Sequence, residues 1–212
     1  MKLAIAVLLV GIPLYGQQLL RPTAEMVPTT CSGNTQNMPN AWDAAGQSTS
    51  SSISASATVS CNQYGCTEST ASFRRGFGTW AASSFTYTAL TLNITSSSPG
   101  WQNTTAVGGG AWLYYSINGG ATWTQIVADS GTGWPLQTFS ITLSPTQDLS
   151  KLRVAACVTG NSGGNSSAGV PPPTPGVDTL TISDIWTLGI GTGQGAGTGS
   201  TAHGRHNTVI VN

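Results

Sequence analysis

Two histidines, His203 and His206, stand three positions apart within the run HGRH near the C-terminal end. They are the only imidazoles in the chain, so any Ser-His-Asp, Cys-His or histidine–metal chemistry would pass through them. They follow a Gly-rich run, GIGTGQGAGTGSTA, whose composition reads as a flexible tether. Two ligands on such a segment hold a metal weakly without a third. Glycosidic hydrolysis instead needs two carboxylates at a fixed separation across a cleft. The acids are Glu25, Asp43, Glu68, Asp129, Asp148, Asp178 and Asp184, and several fall in turn-like sequence. Groups for proton transfer are thinly supplied, and the reading leans away from an enzyme. A secreted hydrolase stands as the third functional reading.

Four cysteines remain: Cys31, Cys61, Cys66 and Cys157. An even number in an exported chain reads as two disulfides, for which three pairings exist. Cys61 and Cys66 would close a small loop within CNQYGC, leaving Cys31 for Cys157, or both would tie the early segment to distant strands. The CxxC spacing of zinc sites is missing.

Aromatic residues offer recognition chemistry. The chain has seven tryptophans. Trp112, Tyr114 and Ser116 share one face of a strand-like run, while Leu113, Tyr115 and Ile117 share the other, and one of the two faces must be core. If the Leu113 face is inside, Trp112 and Tyr114 form an outward pair able to stack on the apolar face of a sugar ring. Trp101 and Trp134, in turn-like sequence, would extend that platform. Trp123 and Trp186 read as core.

These residues need strands to position them. Ser, Thr, Asn and Gly replace charge along most of the chain, which disfavours helix, and Thr, Val, Ile, Trp and Tyr favour strand. Ala111–Ala128 flanks Asn118-Gly119-Gly120 with two alternating runs, the signature of a β-hairpin with a type I′ turn. Further strands are expected at 48–60, 69–80, 85–95, 138–143, 152–158 and 179–188, separated by turn residues. Leu90, Leu92 and Ile94 would share one face, as would Phe139, Ile141 and Leu143, and Leu152, Val154, Ala156 and Val158. Short strands at near-regular spacing predict an all-β antiparallel sandwich or barrel.

The ends differ from the middle. Residues 1–16 combine Lys2, a short apolar run and a terminal Gly16, the pattern of a bacterial-type signal peptide. Residues 17–40 read as an irregular leader, 41–190 as the sandwich domain and 191–212 as the Gly-rich tail. That tail ends in HNTVIVN, a β-branched segment that would dock on its own sheet or add a strand to a neighbouring molecule. Seven basic and seven acidic residues cancel, which argues against a nucleic-acid partner. No later segment is apolar enough for a transmembrane helix.

Two resemblances follow. Ser116-Ile117-Asn118-Gly119-Gly120-Ala121-Thr122-Trp123 resembles the Asp-box hairpin of sialidases and other secreted β proteins, with Asn118 in place of the Asp. In those families the box is a folding element rather than the catalytic site, and a sialidase propeller would need several. The order of the YYSINGGATW hairpin and the strands TFSITL, LRV and ISDIW resembles bacterial jelly-roll modules of the galactose-binding-like, MAM-like and carbohydrate-binding-like kind, over Phe85 to Leu188. The resemblance implies a jelly-roll-like β-sandwich. It also implies a calcium ion near acids of the closing strand, here Asp178 and Asp184, as the one structural cofactor to test; no other cofactor is expected. The functional expectation is an exported, non-catalytic module binding carbohydrate or another extracellular polymer. Its rival is a structural or self-associating cell-surface protein that assembles through the C-terminal tail.

Overall fold

The computed structural model describes residues 16–35, 51–62, 65–70, 72–80, 85–100, 110–129, 132–160 and 177–192. Twelve strands follow one another: β1 (Gly16–Leu20), β2 (Pro22–Met26), β3 (Asn34–Thr35), β4 (Ser51–Asn62), β5 (Gly65–Thr70), β6 (Ser72–Trp80), β7 (Thr86–Ser98), β8 (Gly110–Ser116), β9 (Thr124–Asp129), β10 (Trp134–Leu143), β11 (Arg153–Thr159) and β12 (Val177–Thr192). A 3₁₀ turn, Leu149–Lys151, precedes β11 and is capped by Asp148, whose carboxylate accepts the Ser150 N–H.

Two sheets result. The first runs β10-β7-β12-β4-β5, with β1 also on β12; the second runs β2-β6-β11-β8-β9, with β3 also on β6. All pairings are antiparallel except β3 with β6. β12 is long enough to take β4 along Val177–Ile182 and β1 along Thr187–Gly191 on one side, with β7 on the other. The all-β antiparallel sandwich expected from the alternation is what forms.

Period-2 alternation dictates the core. Leu90, Leu92 and Ile94 from β7 meet Leu113 from β8 and Val154 from β11, all at 1 % exposure or less. Ile53, Phe77, Leu180, Ile182 and Ile185 complete the same cluster. Leu152, Val154, Ala156 and Val158 share the inward face as expected, and so do Phe139, Ile141 and Leu143.

The structure departs from the sequence reading at three places. The segment read as an irregular leader, 17–40, carries β1, β2 and β3, so strands of both sheets precede residue 41. Its strands are short and lack alternation, because β1 and β2 sit at sheet borders where one partner strand suffices. Trp186, expected in the core, lies on the outer face. A bulge between Ile182 and Asp184 resets the alternation, so Ile185 and Thr187 take the interior positions on either side of it. Trp123 lies in the connection before β9 rather than in a strand.

The hairpin itself forms, but with a longer connection than two residues: its last rung is Tyr115 opposite Thr124. The positive-φ glycines are Gly119 (78°) and Gly120 (95°), a conformation that glycine adopts without steric cost. Ser116 Oγ accepts the Gly120 N–H at 2.9 Å, and Asn118 Oδ1 accepts the Thr122 N–H at 2.9 Å. Asn118 thus closes the loop. The expected signal peptide, apart from Gly16, and the tail from residue 193 onward lie outside the described residues.

Candidate functional site

β8 lies between β11 and β9, with Ala111 and Leu113 pointing into the sandwich. Alternation then turns Trp112 and Tyr114 outward. The Leu113 face is the core face, which satisfies the condition set by the sequence for an outward aromatic pair. In the β11 register Trp112 stands opposite Cys157, and Tyr114 opposite Ala155.

The outer face of this sheet is not bare. Residues 27–33 leave the end of β2, cross the sheet as a strap, and return to the border at β3. Several contacts hold the strap. Arg74 donates from Nη1 to the carbonyls of Pro28 (2.9 Å) and Cys31 (2.5 Å). The Trp123 indole N–H donates to Thr29 Oγ1 at 3.1 Å, and that hydroxyl donates to the Gly120 carbonyl at 3.2 Å. Cys31 is joined to Cys157 by a disulfide spanning 126 positions. The start of the strap lies against β6: a Cβ at Gly76 would stand 3.4 Å from Pro28 Cδ, and 2.8 Å from Met26 Cγ at the end of β2. This covering explains why Ala155 and Cys157, on the outer face, are buried at 0 % and 2 % exposure.

Between strap and β8 lies an open groove of about 300 Å³. Trp112 and Tyr114 line it from β8, Thr30, Cys31 and Ser32 from the strap, and Cys157 to Thr159 from β11. Thr159 Oγ1 is within 3.1 Å of Ser72 Oγ, which fixes that hydroxyl. None of the lining residues is a carboxylate, imidazole or cation. Burial pushes the Tyr114 phenol above its ordinary range, so it stays neutral and can donate a hydrogen bond. Such a groove can stack an apolar ring face and exchange hydrogen bonds with hydroxyls.

The other expected site residues divide. Trp134 is interior, at 6 % exposure: its indole N–H donates to Ser96 Oγ at 3.2 Å, and its ring meets Phe139 edge-on at 6.3 Å. It therefore lies away from the groove. Trp101, His203 and His206 lie outside the described residues. Asp184 is held by Arg21 in a two-pronged pair, Nε to Oδ1 at 3.0 Å and Nη2 to Oδ2 at 2.7 Å, and Oδ1 also accepts the Ile185 N–H. For Asp178 only the backbone is described, opposite Ala55. Calcium takes six to eight oxygens. With a guanidinium against both of its oxygens, Asp184 does not fit a calcium ligand, and no group of three His, Cys, Asp or Glu occurs among the described residues. Cys61 and Cys66 are direct register partners across β4 and β5.

Thr30, Ser32 and Thr159 were not legible as site residues. The only sequence signal for them was the pairing of Cys31 with Cys157, one of the alternatives considered, which draws the early segment over the strand opposite Trp112. No protein-family model matches this chain, and no curated protein is similar to it.

Proposed function

We propose that this chain is an exported, non-catalytic β-sandwich module that binds carbohydrate, or a similarly hydroxyl-rich extracellular polymer, in the groove between strap and β8. The observation that carries the reading is the meeting of two outward aromatic rings, Trp112 and Tyr114, with uncharged hydroxyls in one open depression. Sugar rings carry apolar faces edged by hydroxyls, and that pattern matches a ring wall faced by Thr30 and Ser32. The neutral lining favours neutral saccharides over anionic ones, which would need a cation to replace water. The disulfide supports an oxidising compartment.

Calorimetry against a panel of neutral soluble polysaccharides tests this. One or more should bind, and Trp112→Ala or Tyr114→Ala should weaken that binding by about tenfold or more, with an unchanged far-ultraviolet spectrum. No binding by the unaltered protein to any panel member would remove the reading.

A further inference from the structure

The border strands of the two sheets are unequal. β9 ends in Asp129, β2 contains Glu25 and β5 contains Glu68, while β1 is uncharged but only 5 residues long. β10 is 10 residues long, has no charge, and has no proline after Pro135. Among the described residues it pairs with β7 alone. Charge, proline and shortness are the devices that keep strand borders from pairing with another chain, and β10 lacks them over Leu136–Leu143.

The border also has a self-matching pattern. Thr138, Ser140 and Thr142 are exposed on the outer face, while Phe139 and Ile141 are half-buried on the inner face. Residues directly opposite in a sheet point to the same side. A two-fold axis at Ser140 therefore sets Thr138 against the partner's Thr142, Phe139 against the partner's Ile141, and Ser140 against the partner's Ser140. One hydroxyl pair of this kind already joins β10 to β7, Thr95 Oγ1 to Thr138 Oγ1 at 2.8 Å, and beside it Ser140 Oγ donates to the Asn93 amide oxygen at 2.8 Å. The pairing would continue that ladder and cover the exposed edges of Phe139 and Ile141.

We infer that β10 is a homodimer interface, pairing antiparallel with β10 of a second copy of this chain to join the two β10-containing sheets into one. The face is uncharged, so two copies meet without like-charge repulsion. This inference is independent of the groove.

Sedimentation equilibrium of the full chain over a wide concentration range tests it. The unaltered protein should show a monomer–dimer equilibrium. Ser140→Lys puts two ammonium groups at the two-fold axis and should raise the dissociation constant by about tenfold or more. Ser140→Glu should do the same, and an equal mixture of the two variants should dimerise again, which a misfolded variant would not do. A protein that stays monomeric throughout overturns the inference, as does a dimer unaffected by Ser140→Lys. A dimer lost in Ile210→Lys but kept in Ser140→Lys also overturns it, by moving association to the C-terminal tail.

Discussion

Tyr114 is the residue on which the chemistry of the groove turns. Its phenol is pushed upward by burial, so it remains a neutral donor where an exposed tyrosine, near about 10, would begin to ionise. None of the other lining groups titrates near neutrality. Saccharide affinity should therefore be flat from about pH 5 to 9, as calorimetry at stepped pH would record; a bell-shaped profile would contradict the neutral groove. The sign for stability follows from the same shift. The unfolded tyrosine ionises first, so this contribution is intact below about pH 10 and is lost as pH rises past it. Asp148 works the other way. The Ser150 hydroxyl and N–H hold its carboxyl below the usual range, so its share is present at neutral pH and lost in acid.

Among the elements, the strap depends most on a single covalent link. The Cys31–Cys157 bridge closes a loop of 126 positions, and a loop of that length restricts the unfolded chain by about 4–5 kcal/mol. Cys31→Ser with Cys157→Ser should lower the urea midpoint accordingly, and hydrogen exchange should rise first in 27–33. The core strands were legible because Leu90–Ile94 and Leu152–Val158 alternate cleanly. The strap was not, because 27–33 alternates with nothing: its position comes from the Arg74 guanidinium and the disulfide, which join residues far apart in sequence. The Asn118 loop was half legible. Its residue types announced a hairpin, but the side-chain bonds from Ser116 and Asn118 lengthen the connection beyond the two residues that Asn-Gly alone implies. Trp186 was misplaced because a bulge cannot be read from residue types. A one-residue slip exchanges the two faces of a strand.

At the scale of the molecule, one apolar cluster joins both sheets, with residues of β4, β6, β7, β8, β10, β11 and β12 in contact. Such a core should melt as a unit. Leu113→Ala, at a position with 0 % exposure beneath the Trp112–Tyr114 wall, should cost about 2–5 kcal/mol. Denaturant unfolding should show a lower midpoint with an unchanged slope, whether followed by tryptophan fluorescence or by circular dichroism. Two separated transitions would mean that the sheets fold apart.

Consider, finally, that β1 lies beside the last strand, with Leu20 and Thr187 brought together across 167 positions. At a translation speed of about 5–20 residues per second, the opening strand waits roughly 10–30 s for the stretch it pairs with. Until then Leu19 and Leu20 lack the strand they pair with, and that stretch of the nascent polypeptide stays extended and open to a chaperone. The first sheet cannot close until residues 187–191 have been made.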